Sequence, residues 1–172
     1  GLLLDDNSPV IVRGPLATRY TQQFLRQVEW GELDYLILDL PPGTGDIQLT
    51  IVQTVALSGA VIVTTPQEVA LIDARKAVSM FAKVNVDILG VIENMAWFEC
   101  DLGTRYPIFG EGGGVREAER LKVPVLGQIP IDVTTRECAD NGKPVATLPE
   151  TESSASAAFN ETAEKVMARV HR

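Results

Sequence analysis

The sequence predicts an α/β fold, a mostly parallel sheet with helices on both faces. Two observations carry this. Apolar runs of strand length recur along the chain, at residues 34–40, 60–65, 87–93 and 125–129. They show no in–out alternation, which is the pattern of strands buried on both faces. Between them lie segments with apolar residues at helical spacing, and strands alternating with helices are joined by crossovers into parallel sheets. The 172 residues fit a single domain over 1–172, long enough to bury about two thirds of the unfolded surface.

Taken in order, residues 9–15 (PVIVRGP) read as a short strand ending at a turn. The next segment carries Tyr20, Phe24 and Val28 four residues apart, one face of a helix that Gly31 closes. Residues 34–40 are a continuous apolar strand. Asp46 stands where an N-cap belongs, ahead of a helix bearing Ile47, Ile51 and Val55. The strand at 60–65 is halted by Pro66, residues 69–84 are helical in pattern, and 87–93 is a third buried strand. Residues 94–114 break the rhythm with Gly103, Pro107, Gly110 and the run Gly112-Gly113-Gly114. A short helix to Leu121 precedes the strand at 125–129. The last helix starts at Ser153, with Ala155, Phe159, Thr162, Val166 and Val170 on one face.

Composition narrows the classes. The chain is 45% apolar and 22% charged, with a net charge of −8. Such a balance argues against nonspecific binding to nucleic acid or an anionic membrane, which reward excess Lys and Arg. No window reaches 18 uninterrupted apolar residues, and the opening Gly1-Leu2-Leu3-Leu4-Asp5-Asp6 lacks a basic segment of the signal-peptide kind. Cys100 and Cys138 lie far apart and give no disulfide framework, so a reduced, cytoplasmic setting is expected. The first residue is Gly with an apolar run behind it, which suggests a cut in a longer protein.

The chemistry concentrates in Leu36-Ile37-Leu38-Asp39-Leu40-Pro41-Pro42-Gly43-Thr44-Gly45-Asp46. In an open α/β sheet, ligands sit beyond the carboxyl ends of the strands. Asp39 lies at such an end, where a carboxylate can hold Mg²⁺ directly or through one of its waters. Gly43 lets the backbone approach an anion, and its N–H could bond a γ-phosphate oxygen. Pro41 and Pro42 stiffen the loop, so a bond at Gly43 passes to the following helix as rigid movement. Thr44 and Asp46 could orient a water, although Asp46 is equally well explained as a helix cap. The alternative is a tight strand-to-helix turn with no ligand.

Five blocks in sequence, DYLILDLPPGTGDIQLT, VIVTTPQEVALIDARKAVSMF, GVIENMAWF, YPIFGEGGG and LGQIPID, resemble the Mrp family of deviant P-loop ATPases. These are iron–sulfur cluster carriers related to MinD and the nitrogenase iron protein. The resemblance runs from Arg13 to Lys143. It implies a P-loop NTPase-like fold, with ATP and Mg²⁺ as cofactors. It makes Asp39 the Walker B carboxylate and Gly43 a γ-phosphate contact. Asn94 would hydrogen-bond the adenine, and the stretch from Pro130 to Asp132 would flank the base. A homodimer and apo iron–sulfur acceptor proteins are the implied partners, with neither nucleic acid nor membrane among them.

Two departures stand out. No GxxxxGK[ST] or GKGGxGK occurs here, so this polypeptide is expected to lack the initial strand and P-loop and to hydrolyse ATP poorly by itself. Family members typically place a CxxC after the NM-x-x-F segment, where two pairs from a dimer can hold a bridging [4Fe–4S] cluster. Here Phe98-Glu99-Cys100-Asp101-Leu102-Gly103 supplies Cys100 only. Cys138 reads as a small helix residue. Two other readings stay open at this point: a MinD/ParA-like partitioning ATPase, and a non-catalytic remnant serving as an interaction module.

Overall fold

A computed structural model describes residues 14–170 apart from Pro42, Thr44 and Asp101. The expected strand within 9–15 lies outside these residues up to Arg13. At its end, Gly14 and Pro15 belong to a helix instead. The chain forms two compact units, residues 1–56 and 57–172.

The first unit holds α1 (Gly14–Gln27) and α2 (Asp46–Thr54), which pack against one another. Helix α1 stops at Gln27, short of Gly31, and Tyr20, Phe24 and Val28 remain exposed. Residues 34–40 are not a strand. They are irregular, and Ile37 is 88% exposed. An apolar run becomes a strand only when a neighbour takes up its N–H and C=O groups. No described residue forms such a ladder with it. Helix α2 begins one residue earlier than expected: Gly45 is its N-cap and Asp46 its first helical residue.

The second unit is built on β1 (Ala60–Thr64), β2 (Ile88–Glu93) and β5 (Val125–Gln128), in the order β1-β2-β5 with both pairs parallel. Helix α3 (Glu68–Lys83) makes the crossover from β1 to β2. After β2 comes a hairpin of β3 (Phe98–Glu99) and β4 (Arg105–Tyr106), then α4 (Gly113–Leu121) leading to β5. Helix α5 (Val133–Asp140), a 3-10 turn (Val145–Thr147) and α6 (Ser154–Val170) complete the unit.

The two faces of the sheet can be told apart from contacts alone. A Cβ added to Gly127 would lie 1.9 Å from Thr162 Oγ1 on α6, so Gly127 faces that helix. Its neighbour Gln128 bonds Glu93, whose carboxylate meets α4. Successive strand residues point to opposite faces, so α4 and α6 cover opposite sides. Helix α6 buries Ala155, Ser156 and Thr162, while Phe159, expected on the same face, is 37% exposed. The close approach of α6 to Gly127 selects small residues, which pulls the buried stripe away from Phe159. Leu71, Val91 and Leu126 are the largest apolar side chains that are fully buried.

Helices α3 and α4 are tied by charge. Glu117, 2% exposed, accepts from Arg75 Nε at 3.0 Å and from Arg120. Arg75 also meets Glu68 at 2.6 Å. The Arg120 bond, followed by that from Arg75, holds the Glu117 carboxyl below the ordinary carboxylate value against its burial. A group whose folded pKa is depressed stabilises the fold above its unfolded pKa, and that share is lost as pH falls through the folded value. Denaturation midpoints should therefore drop below about pH 4.5, and Glu117→Gln should flatten that acid limb. An unchanged acid limb in the variant would rule out this cluster as its source.

Candidate functional site

The residues expected to carry function fall on both units. In the first, Asp39 is exposed, and no described residue bonds or pairs with its carboxylate. A carboxylate left open to solvent is a suitable donor for a hard cation, because Mg²⁺ keeps most of its waters and takes one or two carboxylates. Gly43 follows with φ +94°, a conformation that side chains rarely adopt. Among the described residues, an added Cβ would meet nothing nearer than Gln48 Nε2 at 3.9 Å. Backbone conformation, more than space, requires glycine here.

Gln48 is a participant that the sequence reading missed. It is 4% exposed, and its Nε2 donates to Pro41 O at 2.9 Å. A side chain from the first turn of α2 thus holds the backbone of the loop just before Gly43. The loop is joined to the helix through this bond as well as through the chain. Thr44 lies outside the described residues, and so does the side chain of Asp46.

In the second unit, the carboxyl ends of the strands converge. Asn94 N donates to Thr64 O at 2.7 Å, joining the ends of β2 and β1. Asn94 Oδ1 accepts from Met95 N at 2.9 Å, and Met95 adopts φ +55°. The amide is thereby fixed with its oxygen held, while its Nδ2 meets no acceptor among the described residues. Beyond Asn94 the chain runs alongside the segment following β5. Ala96 N donates to Ile129 O at 3.0 Å, and Ile131 N to Trp97 O at 2.7 Å. Pro130 is held between these contacts.

Asp132 is fully engaged in the fold. Its Oδ1 caps α5 by accepting from Thr134 N at 2.9 Å, and its Oδ2 accepts from Ser153 Oγ at 2.5 Å. Ser153 in turn accepts from Ala155 N and Ser156 N at the start of α6. With both oxygens committed, Asp132 places the Pro130 stretch and has little capacity left for a ligand.

Cys100 sits where the β3–β4 hairpin turns. Its N–H donates to Thr104 O at 3.0 Å and its carbonyl accepts from Gly103 N at 2.8 Å. The backbone N–H of Leu102, then that of Thr104, lowers the thiol from its ordinary pKa. A larger thiolate fraction makes the sulfur a better nucleophile and metal ligand. Arg105 braces the hairpin, stacking 4.5 Å from the Trp97 ring and pairing with Glu99 at 2.7 Å. Among the described residues, no group of three or more His, Cys, Asp or Glu is arranged to hold a metal. One thiol falls short of the four thiolates of a [4Fe–4S] site, so a cluster held here needs donors from outside this chain. Cys138 is a half-buried residue of α5, as its surroundings in the sequence suggested.

The glycine run, expected to be loop, opens α4. Gly112 is left-handed at φ +65°, and Gly113 and Gly114 form the first helical turn. A Cβ on Gly113 would lie 2.3 Å from Pro66 O, and one on Gly114 2.8 Å from Glu93 Cβ. Glu93, the last residue of β2, is 1% exposed and went unnoticed in the sequence. An acidic residue closing an otherwise apolar strand was the available signal.

No helix among the described residues is long and apolar enough to cross a membrane. A family model described as ParA: NUBPL iron-transfer P-loop NTPase matches residues 1–167. A curated relative from Synechocystis, named iron–sulfur cluster carrier protein, is 47% identical over 99% of this chain and 48% of its own length. One of the same name from Pyrococcus horikoshii is 48% identical over 97% of this chain and 56% of its own length. The chain thus spans about half the length of these relatives. Among solved structures, an Archaeoglobus fulgidus nucleotide-binding protein in complex with ADP aligns with a TM-score of 0.68 and 44% identity. That alignment covers 74% of this chain and 53% of the other. The Pyrococcus furiosus cell division ATPase MinD aligns at 0.64 and 23% identity, over 88% and 58%, a likeness of fold alone.

Proposed function

Because the chain belongs to the NUBPL-type iron-transfer P-loop NTPase family, we propose that it is part of an ATP-dependent iron–sulfur cluster carrier, with the cluster as cargo. The matched model runs over residues 1–167, so every residue named in this reading lies within it. In this reading Asp39 takes the Mg²⁺ side of the nucleotide, Gly43 and Thr44 face the γ-phosphate, and Asp46 helps to place the attacking water. Asn94 reads the adenine beside Pro130, with Asp132 acting through the backbone it caps. Bound Mg²⁺ would supply charge neutralisation to the phosphates. The carrier acts as a cytoplasmic homodimer that passes clusters to apo acceptor proteins.

The observation that carries the reading is the wiring at the strand ends. The segment from Asn94 to Trp97 is laced to 129–131, and it leads directly into the hairpin that presents Cys100. A change felt at the base is therefore relayed through backbone bonds to the thiol. Cysteines from two copies give two ligands, and the remaining donors come from elsewhere in the assembly. The partitioning-ATPase reading has in its favour the MinD fold and the ParA label of the family model, but that model is described as iron-transfer and relatives at much higher identity carry the carrier name.

The test is anaerobic cluster reconstitution of the full-length protein and its Cys100→Ser variant, followed by iron content and visible absorption. The variant should retain less than about half the bound iron, since a hydroxyl is a poor substitute for a thiolate. Equal iron in both proteins would remove Cys100 from the ligand set.

A further inference from the structure

Glu93 is a buried carboxyl group without a cationic partner. It is 1% exposed, and among the described residues neither oxygen meets an Arg or Lys. Oε2 accepts from Gly114 N at 2.5 Å and Oε1 from Gln128 Nε2 at 2.8 Å. The carboxyl faces the start of α4, whose open N–H groups need acceptors. That helix has no side-chain cap of its own and no acidic residue in its first turn. A strand residue thus caps a helix that lies far along the chain. The fit requires Gly114, because a Cβ there would meet Glu93 Cβ at 2.8 Å and Oε2 at 3.2 Å.

The backbone of Glu93 is fixed too, since its carbonyl accepts from Ile129 N at 2.9 Å. The next residue is Asn94. Its amide oxygen accepts from Met95 N–H, and its nitrogen meets no acceptor among the described residues. The oxygen keeps a second lone pair, so the amide can accept from N6–H and donate to N7 of adenine, whereas guanine presents an oxygen where adenine has the amino group. Orientation of Asn94 depends on where β2 ends, and Glu93 fixes that end to α4 and β5 together.

We propose that Glu93 is a positioning residue that sets the base selectivity of the nucleotide site by locking Asn94. The inference rests on the reading of Asn94 as the adenine contact given above. Gln can replace Glu with little disturbance. Its oxygen accepts from Gly114 N, and its NH₂ donates to Gln128 once that amide turns over. Asp keeps the carboxyl group but is one methylene too short to reach Gly114.

The experiment measures binding of ribose-labelled fluorescent ATP and GTP to the full-length protein and its Asn94→Ala, Glu93→Gln, Glu93→Asp and Glu93→Ala variants. Asn94→Ala should lower the ATP/GTP affinity ratio about tenfold. Glu93→Asp and Glu93→Ala should lower it nearly as far, and Glu93→Gln should stay within about threefold of the parent. The ratio separates positioning from general destabilisation, which weakens both nucleotides alike. Should Glu93→Ala fail to fold, Glu93→Asp carries the test. A parental ratio in Glu93→Asp, with a fall in Asn94→Ala, overturns the role of Glu93 alone. A parental ratio in Asn94→Ala overturns the adenine reading itself, and the Glu93 proposal with it.

Discussion

Replacing Gly113 by alanine should lower folding stability by about 2–3 kcal/mol, the cost of forcing an extra methyl into filled space. Helix propensity argues the other way, since alanine inside a helix is favoured over glycine by about 1 kcal/mol. The contact decides the sign. The added Cβ would lie 2.3 Å from Pro66 O, a backbone atom that moves only if the end of β1 moves. Pro66 lies two residues beyond Thr64, whose carbonyl accepts from Asn94 N, so relief at one point disturbs the strand ends together. Thermal unfolding is the measurement, with an expected fall of about 5–10 °C for a chain of this size. A midpoint at or above that of the parent would show that α4 stands further from β1 than described.

The second large effect concerns chemistry. Asp39→Asn in the full-length protein should reduce Mg²⁺-dependent ATP hydrolysis about a hundredfold, within the range seen when one electrostatic contact to developing charge is removed. An amide of the same shape retains the packing but not the negative charge that Mg²⁺ and its waters require. Because Asp39 is exposed and unpaired among the described residues, the fold should be indifferent, with stability changed by less than about 0.5 kcal/mol. Phosphate release and thermal unfolding measured on one preparation separate the two. Hydrolysis above roughly a third of the parental rate would remove Asp39 from the metal side of the site.

The parallel core was readable because β1, β2 and β5 are apolar on both faces, and such runs have few other folded uses. Helices α3 and α4 were readable from spacing for the same local reason. Residues 34–40 look as apolar as β2, yet no neighbouring strand among the described residues completes them, and pairing is not a property of the segment. The run Gly112-Gly113-Gly114 announces a break, but its purpose lies in Pro66 and Glu93, which are remote in sequence. Asp132 was recognised as special, and its capping role emerges only with Ser153, another remote partner. Glu117 looks like a surface residue of a charged helix until Arg75 is placed against it. Asp39, Gly43 and Cys100 stand out in the sequence because the motifs that single them out are local. Gln48 and Glu93 do not, because each works through a contact that only folding creates.

The hydroxyl of Ser153 serves α6 by accepting from its first N–H groups and serves α5 by donating to Asp132. One atom therefore stands at the junction of two helix beginnings. Neither helix can fray from its N-terminus without withdrawing a partner from the other, so the two beginnings are tied through one side chain. The flank of the proposed base site inherits its rigidity from the far end of the chain.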